Sequence, residues 1–152
     1  RDKLDSLARK TIYTGPIDEF FEYELGVLEW RSLSFEHNII KSFDYQGNAV
    51  INYTDEDVEY TRIIEHKHFE FGKQNNTVIT KEFPQKWDKS KEKFYPINDE
   101  KNNELYAKYK DKIDCTKYIF GGRLADYKYY DMHQVAGSSL VRSDREIKND
   151  SI

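Results

Sequence analysis

At 152 residues and 18.2 kDa, the chain is long enough for a domain with its own core. A formal charge of −4 argues against binding nucleic acid by phosphate neutralisation, and 15% aromatic residues argue against disorder. Mean hydropathy is −0.91, and no run approaches the roughly 18 apolar residues of a membrane span, so neither membrane insertion nor a secretory leader is expected. Cys115 is the single cysteine, which excludes an internal disulfide and any multi-cysteine metal site and suits a reducing, cytoplasmic setting.

The charged start RDKLDSLARK reads as the middle of something longer, and no GxGxxG or GxxxxGK[ST] phosphate loop occurs in the chain. Thr11-Ile12-Tyr13 is a short β-prone run that stops at Thr14-Gly15-Pro16. Proline at a first helical turn, followed by Asp18 and Glu19, predicts a brief helix over PIDEFFEY. Four β-like runs follow, at 28–40, 48–54, 59–71 and 77–83, separated by turn-like stretches such as Gln46-Gly47-Asn48. Their short connections predict an antiparallel meander. Asp99 is placed to cap a helix over EKNNELYAKYKDKI, with Leu105 and Tyr109 four apart on one face. YIFGG at 118–122 reads as a buried strand leading to a last helix that starts near Asp131. The segment AGSSLVRSDREIKNDSI soon turns polar and is expected to be a disordered tail. The fold class is α+β: a mostly antiparallel sheet of five to six strands with a few helices.

Three constellations carry chemistry. On a strand, His66 and His68 share a face with Glu70, which would suit a zinc ion. Three ligands from one extended strand converge poorly on a tetrahedral ion, so no metal is assigned. Arg62, between Thr61 and Ile63, leaves two readings open. It is an internal ion-pair partner of a carboxylate such as Glu65, or a guanidinium clamp on an oxyanion. In GGRLADYKYYDMHQV (121–135), a glycine pair, Arg123, Tyr127, Tyr129 and Tyr130 precede a helix start at Asp131. That run reads equally as a tyrosine-rich packing turn or as a site for a phosphate-bearing ligand.

Several stretches together resemble one family. KTIYTGPIDEFFEYELG, LEWRSLSFE, QGNAVINYTD, YTRIIEHKHFEFG, TVITKEFP, YPINDEKNNELY and FGGRLADYKYYDMHQV are similar, in order, to the C-terminal part of bacterial UDP-galactopyranose mutase. The resemblance implies a fragment of a larger, three-domain FAD-dependent isomerase. Such an enzyme interconverts UDP-galactopyranose and UDP-galactofuranose through a flavin N5–sugar iminium adduct, in the cytoplasm, for cell-surface galactofuranose polysaccharides. A nucleotide-sugar-binding module without chemistry, derived from the same fold, is the alternative.

Carried over by position, the resemblance implies that Arg62, Tyr95 and Tyr129 contact the substrate diphosphate, with Asn52 lining the same site. Gly122, Arg123, Asp131 and Met132 correspond to residues on the cofactor side. Residues 1–115 would form the substrate-facing sheet domain, and 116–152 a segment returning to an FAD-binding domain. The glycine-rich FAD loop is absent from this sequence, and Ala136-Gly137-Ser138-Ser139 weakens the helix after DMHQV. The chain alone is therefore expected to hold FAD weakly and to be inactive. Surface left uncovered by missing domains would favour a homo-oligomer.

Overall fold

The computed structural model describes residues 5–149. In chain order the elements are β1 (Thr11–Tyr13), α1 (Ile17–Phe20), β2 (Trp30–Ile40), β3 (Val50–Asn52), β4 (Arg62–Glu65), a 3-10 helix (His66–Phe69), β5 (Thr77–Lys86), β6 (Tyr95–Pro96), α2 (Glu100–Asp111), β7 (Tyr118–Phe120) and α3 (Met132–Asn149). Among the described residues, no helix is long and apolar enough to cross a membrane.

The main sheet has five strands in the order β3–β4–β5–β2–β6. The expected meander holds only for β3, β4 and β5. The earliest strand of this sheet, β2, lies on the far side of β5, because these two are the long strands among the described residues and they match over ten residue pairs, Arg31↔Lys86 through Ile40↔Thr77. A ladder of that length outweighs the chain proximity that would have set β2 beside β3. β5 carries Pro84, which cannot donate to a ladder. The β4 register ends at Arg62↔Glu82, so Pro84 falls beyond it.

The run expected to be strand from 59 to 71 is strand only over Arg62–Glu65. Lys67, 6% exposed, sends its ammonium to the carbonyl oxygens of Phe43 and Gln74. Those bonds fold the chain into the 3-10 turn against its β propensity. The predicted helix over PIDEFFEY is likewise short. Glu22 and Tyr23 have φ of +53° and +60°, a left-handed pair that no helix continues through.

Two compact units emerge, one of residues 31–94 and one formed by the segments before and after it. The first is built on the β3–β4–β5–β2 ladder, with Ile63 and Ile79 buried on one face. The second has an aromatic core. Phe20 lies edge-on to Tyr13, Tyr118 and Phe120 at 4.9–5.0 Å between ring centres, and Phe21 stacks on Tyr109 at 5.7 Å. The loop leading to β2 is fastened to this core by buried polar groups. Asp18 accepts from Leu28 N (3.0 Å), and the Tyr109 hydroxyl accepts from Leu25 N and donates to Gly26 O. Asp99 caps α2 as expected, accepting from Asn102 N at 2.8 Å.

β1 and β7 form a separate parallel pair, Thr11↔Tyr118 to Tyr13↔Phe120, made possible by the long intervening chain. α3 runs through Asn149 and contributes no buried residue. The last part of the expected tail, residues 150–152, lies outside the described residues.

Candidate functional site

The predicted site residues fall into two groups, one in each unit. In the sheet unit, Asn52, Arg62 and Glu82 are direct cross-strand neighbours on β3, β4 and β5, and therefore share a face. Arg62 Nε donates to Asn52 Oδ1 at 3.0 Å, and Arg62 Nη1 lies 3.7 Å from Glu82 Oε2. Glu82 is buried, whereas the Arg62 side chain remains 38% exposed. The ion-pair partner of Arg62 is thus Glu82, not Glu65. One guanidinium N–H is fixed by Asn52, and a carboxylate stands near a second nitrogen. The remaining donors are available to an oxyanion. Glu82 was not foreseen, because strand register decides which carboxylate faces Arg62.

The histidines separate. His66 Nε2 bonds the Thr80 hydroxyl at 2.6 Å, and His37 Nδ1 bonds the same oxygen at 2.7 Å. His68 Nε2 instead lies 3.2 Å from Glu65 and 3.4 Å from Asp44. Among the described residues, the acidic and imidazole groups brought within 4.8 Å of one another are Asp44, Glu65 and His68, not His66, His68 and Glu70. Both Glu65 oxygens are engaged by backbone N–H groups of Tyr45 and Gln46. Burial opposes ionisation of Glu65 most strongly, but hydrogen bonds, those two N–H groups among them, and His68 hold its carboxyl below the usual range. The arrangement clasps the loop at 44–47 to the end of β4.

In the other unit, Tyr95 from β6 and Tyr129 face each other with ring centres 5.5 Å apart. The Arg123 guanidinium carbon lies 4.8 Å above the Tyr129 ring. Tyr129 is therefore contacted by a phenol and a cation, in a stretch that belongs to no helix or strand. Gly122 has φ +91°, a conformation that requires glycine although space beside it is open. At Gly121 a Cβ would meet Arg142 Nη1, so a side chain there would require that guanidinium to shift. Arg142 bonds Phe120 O and makes a two-pronged pair with Asp126 at 2.7 and 2.8 Å. Asp131 precedes α3, its N–H donating to the Gln134 side chain, and Met132 opens the helix 91% exposed. Among the described residues, clefts border β7 and α3. One, of about 480 Å³, is walled by Tyr106, Tyr130, Lys110, Arg142 and Arg145, and another, of about 440 Å³, by Ile12, Ile119, Gly122, Val135 and Ile147.

The sequence profile of the UDP-galactopyranose mutase family matches residues 1–129, which includes both groups up to Tyr129. The chain belongs to that family. It is 39% identical over 90% of its length to a dTDP-fucopyranose mutase of Escherichia coli, and 38% identical over 87% to a probable UDP-galactopyranose mutase of Klebsiella pneumoniae. A UDP-galactopyranose mutase of Mycoplasma pneumoniae is 32% identical over 91% of the chain. The aligned parts are 37%, 35% and 36% of those proteins, so this mutase-family chain spans little more than a third of the curated relatives it matches.

Asp126, Arg142 and Glu82 are contact partners around these two groups that the sequence did not single out. Arg142 lies in the polar stretch after DMHQV, and only its packing against β7 gives it a role.

Proposed function

We propose that the chain supplies the substrate-binding sheet (residues 1–115) and the flavin-covering segment (116–152) of a nucleotide-sugar mutase. The reaction is interconversion of UDP-galactopyranose and UDP-galactofuranose, in the cytoplasm, for galactofuranose-bearing surface polysaccharides. The observation that carries this reading is the set of contacts on Tyr129, held between Tyr95 and Arg123 inside a stretch matched by the family.

Arg62 neutralises charge on the diphosphate as it leaves the sugar and returns, with its guanidinium oriented by Asn52 and Glu82. The phenols of Tyr95 and Tyr129 donate hydrogen bonds to diphosphate oxygens, and Asn52 lines the same site. Reduced FAD, when bound, supplies the nucleophilic nitrogen that takes the anomeric carbon. Gly122, Arg123, Asp131 and Met132 would lie on its side. They fit that role in part: a backbone free of side chains at Gly122, a cation at Arg123, and an exposed first turn of α3 at Met132.

The β1–β7 pair supports the second half of the proposal. Parallel strands are normally found with both faces covered. Ile12 in β1 is nevertheless 70% exposed, and the neighbouring cleft is lined by Ile119, Val135 and Ile147. A flavin-binding fold is the proposed cover.

The test is an anaerobic assay with reduced FAD. The 152-residue chain alone is expected to bind flavin weakly and to interconvert nothing. The same segment joined to an FAD-binding fold is expected to interconvert the two UDP-sugars. A joined polypeptide that binds flavin stoichiometrically but leaves both sugars unchanged would overturn the mutase reading in favour of a non-catalytic nucleotide-sugar-binding module.

A further inference from the structure

We infer that Tyr127 is a positioning residue that sets the placement of the Tyr95 and Tyr129 rings relative to each other. Its importance for the reaction rests on the proposed role of those two phenols as diphosphate ligands.

Tyr95 is held by only a short edge pairing, with Phe94 N donating to Arg31 O and Ile97 N to Glu29 O, and Tyr129 by no element of its own. Tyr95 lies in the two-residue strand β6, Tyr129 lies in irregular chain, and the helix that follows buries nothing. Tyr127, by contrast, is 2% exposed, edge-on to Trp30 at 5.0 Å and stacked on Tyr106 at 6.0 Å. Its hydroxyl accepts from Ile97 N at 3.1 Å and shares its proton between the carbonyl oxygens of Ile97 and Glu29. Ile97 is two residues beyond Tyr95, and Tyr127 is two residues before Tyr129. A single phenol therefore joins the backbone carrying one ring to the backbone carrying the other, each within about 7 Å of extended chain.

The backbone at Tyr127 points the same way. Its φ of +47° is a left-handed conformation that a bulky L-residue adopts only where the surroundings over-determine it. Here the ring is fixed by two aromatic neighbours and the hydroxyl by three backbone atoms. The chain on either side follows from that anchor: Gly122 O accepts from Asp126 N, and Arg123 O from Lys128 N. These bonds form the loop that presents Arg123 to the Tyr129 ring.

The experiment uses the 152-residue chain with tyrosines replaced by 3-fluorotyrosine and read by fluorine NMR, the Tyr95 and Tyr129 signals being assigned by single phenylalanine variants. Tyr127→Phe keeps the ring and removes only the anchor. It is expected to shift or broaden both the Tyr95 and Tyr129 signals while leaving those of Tyr53 and Tyr60 in place. Tyr109→Phe is the control for general loosening, because it removes an equally buried phenol bridging Leu25 N and Gly26 O. It is expected to leave the Tyr95 and Tyr129 signals unmoved.

Unmoved signals in folded Tyr127→Phe, or equal movement in Tyr109→Phe, would overturn the inference. If Tyr127→Phe does not fold, the unaltered chain decides. A slowly exchanging Tyr127 hydroxyl proton with a nuclear Overhauser effect to the Ile97 N–H supports the anchor, and its absence contradicts it. Adding UDP to the unaltered chain separates the two ideas. Failure of UDP to move the Tyr95 and Tyr129 signals counts against their role as diphosphate ligands, while the Tyr127→Phe comparison still decides the positioning role.

Discussion

Arg62 stands inside a ladder, with β3 on one side and β5 on the other, and its neighbours Asn52 and Glu82 follow from strand register alone. Tyr129 stands in no ladder. Its surroundings are set by side chains that reach backbone from far along the sequence, such as Tyr127 to Ile97 and Arg142 to Phe120. A residue placed by register keeps its position as long as two strands pair, because a slip of one residue would turn its whole face over. A residue placed by tertiary anchors depends on a few particular groups. Single substitutions should therefore disturb the two units differently.

The largest effect is expected from removing a side-chain anchor of the sheet unit, the Glu65 carboxylate. Glu65→Ala removes the acceptor of the Tyr45 and Gln46 N–H groups from a fully buried position and leaves His68 beside Asp44 alone. We expect a loss of about 2–3 kcal/mol in urea unfolding, since a fully buried side chain is deleted and two part-buried donors lose their acceptor. The pH dependence has a fixed sign. The folded carboxyl titrates below its ordinary value of 4.5, so its contribution is present above pH 4.5 and fades as pH falls through the folded value. Glu65→Gln should flatten the stability profile in that acid range, and an unchanged slope would contradict the clasp.

Arg142→Ala probes the other unit. It leaves Asp126, 8% exposed, without its two-pronged partner and frees the carbonyl of Phe120. Because the Arg142 side chain is itself 31% exposed, solvent screens the pair, and a loss of about 1–2 kcal/mol by thermal unfolding is expected rather than the cost of a fully buried pair. Chemical shifts of residues 31–94 should stay unchanged. Smaller still is Tyr129→Phe, which removes the one neutral hydrogen bond that we propose it donates to the diphosphate. It should weaken UDP binding by about 0.5–1.5 kcal/mol in calorimetry without altering stability.

The same contrast explains what could be read from sequence. β1, β2, β5 and β7 stand out as β-prone runs, and α2 is marked by its Asp99 cap. Arg62 stands out as a cation in such a run. Its partner does not, because Glu65, three residues along the same strand, points to the opposite face, and Glu82 emerges only when β4 and β5 are aligned. The end of β4 is hidden for a related reason: His66–Phe69 favours extended chain locally, and only the contacts of Lys67 with Phe43 and Gln74 fold it into a turn. The tyrosine-rich run 121–135 is visible as unusual, but nothing local says which phenol is an anchor and which is exposed. Tyr127 is 2% exposed and Tyr129 53%, two residues apart and with no periodicity to tell them apart.

We propose that the Arg62 guanidinium, oriented by Asn52 and Glu82, holds a nucleoside diphosphate. Its most direct test is the UDP affinity of an anaerobically reduced polypeptide joining this segment to a flavin-binding fold, measured by calorimetry before and after Arg62→Ala. At least a tenfold loss, about 1.4 kcal/mol, is expected with circular dichroism unchanged. An unaltered affinity would reduce Arg62 to an ion-pair partner of Glu82 and rule out its role as a diphosphate ligand.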